Sequence, residues 1–237
     1  MALILVCVGW MLCVCGCNND ENKSIQEQID ELVKVSDKEW QNRFDWGDCK
    51  NYSYTTIFWN NLIELKDNAD KKAEYDKYYT FYYDMENKQT ASTVSIVVKT
   101  KGYTVDDLDF KYEKIGESDY YKRREGKDYL ISLDKEKNKY VASRTDLVSY
   151  GEVFLDLLKT YKLMGSMYEF DNSTKEYKLK SENSDVPFMD KITFSFPKEG
   201  GVMINTYYEG IKSTSIYYSN KNNTAVNVPE YEMKEEE

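Results

Sequence analysis

The chain of 237 residues contains no histidine. This absence excludes Ser-His-Asp and Cys-His catalysis, zinc sites that use imidazole, and the usual proton shuttle near neutral pH. Carboxylate pairs would have to carry any acid–base chemistry, and acidic clusters such as Asp106–Asp109 and Glu235–Glu237 are better interpreted as solvated charge. We therefore expect no enzymatic activity, no bound metal and no cofactor.

Cysteine is nearly absent beyond the first 17 residues, because four of the five cysteines lie there and only Cys49 follows. A single thiol cannot form an intramolecular disulfide or a cysteine-rich metal site. Cys49 is interpreted as a small buried hydrophobic residue, since Lys50 alone gives weak support for a reactive thiolate and Asp48 opposes it.

Basic residues are outnumbered, with 32 Lys and Arg against 42 Asp and Glu, and the net charge is −10. No charged residue precedes Asp20, so this charge belongs to the body of the protein. An acidic body repels phosphate backbones, and we expect no nucleic-acid partner. The same balance argues against a polybasic membrane-binding face.

An uncharged, apolar segment occupies residues 2–15. It is too short to span a bilayer, which takes about 20 apolar residues, but it suits the apolar region of a secretory signal, about 7 to 15 residues long. The following motif, Val14-Cys15-Gly16-Cys17, resembles the lipobox of bacterial lipoproteins. That resemblance implies cleavage between Gly16 and Cys17 and lipid attachment at Cys17. An ordinary buried N-terminal helix is the alternative.

The lipobox resemblance also divides the chain. Residues 1–16 would be a signal peptide, and residues 17–23 a lipid anchor with a polar tether. The protein would then lie outside the cytoplasm, held at the bacterial cell membrane by lipid at Cys17, where two acyl chains anchor stably and one binds only marginally. Residues 24–229 are expected to form a single α+β domain, and residues 230–237 a disordered acidic tail.

Two segments show helical spacing. Ser24 and Glu27 form a capping-box pattern at the start of an apolar stripe, and a helix is expected over Ile25–Phe44, with a break near Ser36 as an open alternative. The second predicted helix covers Leu147–Tyr168. Its apolar face is too wide for an isolated surface helix, so it should lie on the concave face of a sheet.

Alternation of apolar and polar residues predicts several short antiparallel strands. A charged break is expected at residues 67–76, and tight turns at Glu125-Gly126 and Glu209-Gly210. The strands are expected near residues 51–59, 78–86, 94–98, 108–113 and 129–133 before the internal helix, and near 177–179, 192–196, 202–208, 211–218 and 226–228 after it.

Asn51-Tyr52-Ser53-Tyr54 at the first strand and the closing run Ile192–Pro229 give the chain a pattern that resembles the LolA/LprG-like group of bacterial lipoproteins and carriers. The likeness covers most of the mature chain through its order of elements. It implies a strongly curved antiparallel sheet, a half-barrel, covered by an N-terminal helix and an internal helix around a cavity for lipid or acyl chains. An antiparallel β-sandwich with helical insertions is the alternative fold.

Tyrosine is abundant, with 22 residues in a chain that is 15% aromatic. Tyrosine favours half-buried sheet positions because it has an apolar ring and a polar hydroxyl. The aromatic faces can fill one another as core or, alternatively, line a groove. For a groove, the candidate ligand-binding residues share one strand face and the internal helix: Tyr79, Phe81, Tyr83, Val153, Phe154, Leu157 and Leu158.

The expected function is that of a membrane-anchored protein outside the cytoplasm that binds a lipid-like or other apolar ligand. It follows from the predicted anchor, the aromatic strands and the wide apolar helix. The alternative is an envelope interaction or structural lipoprotein without a ligand cavity. Such a protein would bind a protein partner through exposed tyrosines or a glycan through Trp46 or Trp59.

Overall fold

A computed structural model describes residues 25–110, 114–146, 150–183 and 191–234. The predicted signal peptide, lipobox, lipid attachment at Cys17, tether and Ser24 cap lie outside these residues. Three α-helices occur within them: α1 Ile25–Ile29, α2 Asp37–Arg43 and α3 Glu152–Lys162. The strands are β1 Asn51–Leu65, β2 Asn68–Asp84, β3 Gln89–Val98, β4 Ser118–Arg124, β5 Lys127–Asp134, β6 Lys139–Thr145, β7 Tyr168–Asp171, β8 Glu176–Leu179, β9 Ile192–Ser195, β10 Val202–Tyr208, β11 Ile211–Ser219 and β12 Tyr231–Met233.

The described strands form one sheet in the order β12-β6-β5-β4-β3-β2-β1-β11-β10-β9-β8-β7. Neighbours are antiparallel except β12, which pairs with β6 in parallel. The sheet is open, with β12 and β7 at its edges. The prediction of a mostly antiparallel β-structure with a few helices is confirmed, and the described strands do not divide into the two sheets of a sandwich.

Helices pack on both faces of this sheet. Directly opposed antiparallel residues share a face, and so do alternate residues of one strand. The front face, defined by Tyr52 and Tyr218, packs against α2 and α3. The rear face, defined by Ile57 and Tyr217, packs against α1 through Ile29. The expected N-terminal helical cover is therefore divided between the two faces.

The predicted helix Ile25–Phe44 is interrupted, and the alternative of a break near Ser36 is confirmed. Between α1 and α2, the Val33 N–H donates to the Phe196 carbonyl at 2.9 Å, so this part of the chain pairs with the sheet instead of forming helical hydrogen bonds. Ser36 then caps α2, because its Oγ accepts from the Glu39 N–H at 3.2 Å.

The predicted charged break at residues 67–76 is wrong. β2 begins at Asn68 and pairs with β1 across a two-residue turn at Lys66-Asp67. The first five residues of β2 are exposed, and Ala73 is the first that is buried. A strand that is exposed to solvent on both faces tolerates charged residues at every position. Its sequence therefore shows no alternation of apolar and polar residues.

Three other predicted elements differ in the structure. Of the strand expected at 108–113, Leu108 makes only an isolated bridge to Leu65, and residues 111–113 lie outside the described set. Residues 226–228 form no strand, because this segment crosses the rear face, where Val226 is buried in an apolar cluster. The tail expected to be disordered forms β12 at Tyr231–Met233.

Candidate functional site

The internal helix α3 is fixed to the front face by its own backbone. The Tyr52 hydroxyl donates to the Gly151 carbonyl at 2.7 Å, and the Tyr218 hydroxyl donates to the Phe154 carbonyl at 3.1 Å. Gly151 has a φ of +97°, and a Cβ there would lie 2.8 Å from the Tyr83 ring. Glycine is required at this position both by its backbone conformation and by the close approach of the sheet.

The front face beneath α2 and α3 is a filled aromatic core. Trp40 of α2 donates from Nε1 to the Tyr161 carbonyl of α3 at 3.0 Å, and it is 2% exposed. Leu158 of α3 is fully buried in the same cluster. The Trp40 ring also contacts five others: Phe44, Tyr168, Tyr177, Phe194 and Phe196. This part of the front face is closed by its own side chains.

The candidate ligand-binding residues differ in how deeply their side chains are buried. Tyr83 and Leu158 are core residues, 3% and 0% exposed. Phe81 stacks on Tyr83 at 6.0 Å between ring centroids, and Phe154 lies 5.9 Å from Tyr83. Leu157 is 41% exposed on the outer side of α3.

Two candidates remain, Tyr79 and Val153. Tyr79 lies in β2 four residues before Tyr83, and its ring packs edge-to-face on the Phe58 ring at 5.9 Å between centroids. Val153 lies in α3, but its side chain is outside the described set. The sheet and α3 are thus in contact as expected, and much of the surface between them is buried by their own side chains.

Beyond α3 the front face remains partly open along the front trough, which we define by Tyr54, Phe58, Tyr79 and Phe81. Tyr54 lies opposite Phe81 in the β1–β2 register, and Phe58 lies two positions from the residue opposite Tyr79. Phe58 is 37% exposed, and the other three rings are half-buried. The trough is therefore an apolar surface that solvent reaches.

Both ends of the front trough are covered. At one end Phe154 of α3 packs on Tyr54 at 4.8 Å. At the other end the segment 103–110 folds over β1, β2 and β3, where Leu108 is fully buried and Phe110 meets Tyr75 at 5.3 Å. Along the regular strand β2, six residue steps lead from Phe81 to Tyr75, so the two covers are about 20 Å apart at 3.3 Å per residue.

A lysine lies at the margin of the front trough. Lys77 places its Nζ 4.5 Å above the Tyr79 ring, a cation–π contact at the trough's margin. Burial raises the pKa of the neighbouring Tyr52, Tyr83 and Tyr218 hydroxyls well above its ordinary value. All three hydroxyls therefore stay protonated at neutral pH, and those of Tyr52 and Tyr218 continue to donate to backbone carbonyls of α3 and the residue before it.

A polar network that the sequence did not reveal lies on the rear face of β8 to β11. Its centre is Glu176, which is 1% exposed. One Glu176 oxygen accepts from Thr193 Oγ at 2.6 Å and from the Tyr207 hydroxyl at 2.7 Å, and the other pairs with Lys212. The Asn205 amide donates to Thr193 Oγ at 3.2 Å and extends the network along β10.

A β-bulge brings Lys212 to Glu176. Thr206 lies opposite Thr214, but the next residue, Tyr207, lies opposite Lys212, so β11 has one extra residue at this point. The bulge turns Lys212 onto the same face as Tyr207. Alternating polar residues in these strands resemble a solvent-facing side, and only the fold shows that they are buried.

The structure also gives the surroundings of the two tryptophans proposed for glycan binding and of the cysteine. Trp46 is 6% exposed and packs edge-to-face on Tyr52 at 5.8 Å, so it is a core residue rather than a sugar platform. Trp59 donates from Nε1 to Ser215 Oγ at 2.7 Å on the rear face. Cys49 is half-buried, its Sγ lies 3.2 Å from the Asn51 carbonyl, and burial raises the pKa of its thiol.

No protein-family model matches the sequence, and no curated protein matches it. Within the described ranges, no group of three or more acidic or cysteine side chains is arranged to hold a metal ion. None of the helices described above has the length and apolar character needed to cross a bilayer.

Proposed function

We propose that this chain is a lipid-anchored binding protein outside the cytoplasm, and that its front trough holds a lipid-like ligand with an extended acyl chain. The observation that carries the proposal is an aromatic surface left accessible between two covers, α3 and the segment 103–110. Apolar surface of this kind gains about 25 cal/mol per Å² when it is covered.

The shape of the trough supports an elongated occupant. The separation of about 20 Å between its two covers follows the strand direction and suits one extended chain better than a compact ring system. Phe58, at 37% exposed, would be covered by such a chain. Lys77 at the margin could pair with an acidic headgroup while the tail lies on the rings.

The half-barrel of the LolA/LprG-like group belongs to the same proposal. Helical cover over an antiparallel sheet supports it, and so does the opening of the sheet at two edges. Lipid at Cys17 would hold the body at a membrane surface, where acyl-chain ligands are concentrated.

The test is native mass spectrometry of the chain from Asn18 onward, which contains every described residue, purified from a lipid-containing host. We expect a bound adduct of lipid mass in the wild type and its loss in Phe58→Glu, which places a charge in the trough. The matched control is Leu163→Glu, since Leu163 is 82% exposed at the end of α3 and distant from the trough. Its adduct should be unchanged.

A clean apo mass that persists after lipids are added would contradict the proposal. It would favour the alternative, an envelope protein that binds another protein. One observation supports that alternative: Tyr208 and Ile211 lie opposite each other at the tip of the β10–β11 hairpin and are 70% and 63% exposed. Aromatic and aliphatic side chains of this kind serve as interface anchors. Crosslinking on intact cells with wild type and Tyr208→Ser would then decide.

A further inference from the structure

A group of basic side chains lies on the rear face, where β4, β5 and β6 approach the β4–β5 turn. We define this rear basic patch by four residues: Lys122, Arg124, Lys127 and Arg144. Lys122 and Arg144 both lie opposite Tyr129, one on each side of it, and Arg124 lies opposite Lys127 in the neighbouring row. Ala142, two residues before Arg144, is buried in the rear apolar cluster with Val226, so the patch belongs to that face.

The charges of the rear basic patch are largely uncompensated. Lys122, Lys127 and Arg144 form no ion pair with another residue in the part of the chain that the structure describes. Arg124 pairs with Glu125 at 3.7 Å, but that carboxylate is 83% exposed and contributes little. Arg124 also faces Lys127 directly, and like charges opposite each other on neighbouring strands are destabilising. An acidic group over the patch would remove this repulsion.

Strand β12 brings an acidic segment of the same chain toward the patch. β12 runs parallel to β6, from Tyr231 opposite Tyr140 to Met233 opposite Ala142. The N–H of the next residue, Lys234, donates to the Ala142 carbonyl at 2.9 Å. The three residues that follow Lys234 in the sequence are all acidic: Glu235, Glu236 and Glu237.

The distances allow these carboxylates to meet the patch. Arg144 lies two residues beyond Ala142 on β6, about 7 Å along the strand. Three extended residues after Lys234 span about 10 Å, and the side chains add to that reach. Lys122 lies two strands from Arg144, a further distance of about 10 Å. An acidic residue of β12 already pairs with a lysine of β6 in this way, since Glu232 lies 2.6 Å from Lys139.

We propose that the acidic segment Glu235–Glu237 docks on the rear basic patch of its own chain. One carboxylate forms a bidentate pair with the guanidinium group of Arg144, and the others face Lys122 and Lys127. Attachment through β12 favours this segment over an acidic segment of another molecule, because it raises the effective concentration at the patch.

Docking would also protect the fold. It continues the cover of β12 along the outer edge of β6 beyond Ala142, and an uncovered strand edge pairs readily with other chains. It holds in place the segment that carries Val226 over the rear apolar cluster. The patch lies on the opposite face from the front trough, so the proposal does not depend on lipid binding there.

The first test is zero-length crosslinking of the full chain, purified in detergent, with a carbodiimide that joins a lysine amine to a carboxylate in contact with it. We expect peptide mass spectrometry to find Lys122 or Lys127 joined to Glu235–Glu237 within a single chain. The link should be lost in about 1 M salt, where charges are screened beyond about 3 Å. A link between Lys139 and Glu232, which pair in the structure, shows that the reagent has acted.

The second test is amide exchange of Lys234, whose N–H bonds to the Ala142 carbonyl. Changing Glu235–Glu237 together to Gln should lower its protection by about two- to fivefold, the effect of losing surface ion pairs. Arg144→Gln should act in the same direction, and adding it to the triple variant should change little, since both remove the same contact. The control Lys198→Gln breaks a distant exposed pair and should leave the protection unchanged.

Each outcome bears on the proposal. A link within one chain that salt abolishes supports docking, and so does lower Lys234 protection in both variants. Links found only between two chains would show that a second copy supplies the segment, and would overturn docking within one chain. The proposal is also overturned if Lys139 joins Glu232 while neither patch lysine joins the segment, or if the protection of Lys234 is unchanged in both variants.

Discussion

The strands β8 to β11 are packed by opposite means on their two faces. The front face buries rings and aliphatic groups, such as Phe194 and Ile204, beneath α2 and α3. The rear face is equally buried, with Glu176 1% and Asn205 0% exposed, yet these buried side chains are polar. Apolar packing tolerates rearrangement if volume is kept. A buried network depends on each partner, because one unpaired group loses its full solvation.

The comparison also bears on function. The front face leaves an apolar trough beyond its core, and the rear face leaves a lysine-lined cavity beside its network. The proposed trough continues the chemistry of the buried surface next to it, since its rings follow those of the front core.

High pH should destabilise the aromatic face most. Burial raises the pKa of the front-face Tyr52, Tyr83 and Tyr218, and raises that of the rear-face Tyr217 to about 12. In the unfolded chain tyrosine ionises near pH 10. The stability these groups provide is full below that pH and is lost as pH rises through their folded pKa values, by about 1.4 kcal/mol per pH unit for each group.

Urea unfolding at several pH values above about 9 checks this prediction. Because several tyrosines act together, we expect the free energy of unfolding to fall steeply and the protein to unfold before the buried groups ionise. Phenolate absorbance of those tyrosines should rise together with the loss of far-UV circular dichroism. Ionisation of most tyrosines near pH 10 with the fold intact would show that they are not buried as described.

Removing one ring from the front core should have the next largest effect. Trp40→Ala should cost about 3 to 5 kcal/mol, since it leaves a large cavity among five contacting rings. Trp40→Phe keeps an aromatic ring but loses the hydrogen bond to the Tyr161 carbonyl, and should cost clearly less. Urea midpoints at constant slope measure both. Equal losses would indicate that the hydrogen bond, rather than packing, dominates.

Breaking the rear-face ion pair should cost about 3 kcal/mol. Lys212→Met leaves the Glu176 carboxylate buried with two hydroxyl donors and no cation. Adding Glu176→Gln in the double variant removes the charge and should recover more than half of the loss. The control Lys198→Met breaks an exposed pair with Glu31 and should change stability by under about 1 kcal/mol. A double variant no better than Lys212→Met alone would contradict this account.

The sequence predicted the parts of the fold that depend on local signals. Turn chemistry marked Glu125-Gly126 and Glu209-Gly210, where all four residues have positive φ in the structure. Apolar spacing located α3, although the helix ends at Lys162 because Gly165–Met167 form a 3-10 turn and Tyr168 begins β7. These features are set by residues close together in the chain.

What the sequence missed is set by distant partners. β4 and β6 mix charge with tyrosine and were not predicted, because their pattern has meaning only beside β3 and β5. The Glu176 network was missed for the same reason, since burial of a strand's polar side depends on what covers it. The candidate ligand-binding residues stay a prediction, and the sequence could not tell Tyr83 in the core from Tyr79 in the trough or from Leu157 on the outer side of α3.

The smallest expected effect concerns Tyr177, where the two modes of packing meet in one side chain. Its ring lies in the front core 5.3 Å from Trp40, while its hydroxyl donates to the Val35 carbonyl and accepts from the Val35 N–H, both at 2.7 Å. Tyr177→Phe keeps the ring and leaves both backbone groups without this partner, so we expect a loss of about 1 to 2 kcal/mol in urea unfolding. The control Tyr208→Phe, on a 70% exposed ring, should be nearly neutral. Because Val35 directly precedes the cap of α2, faster amide exchange over residues 35–43 in Tyr177→Phe would show that this hydroxyl fixes the helix to the sheet. Unchanged exchange there would mean that the other contacts of α2, including those of Trp40, hold the helix without this hydroxyl.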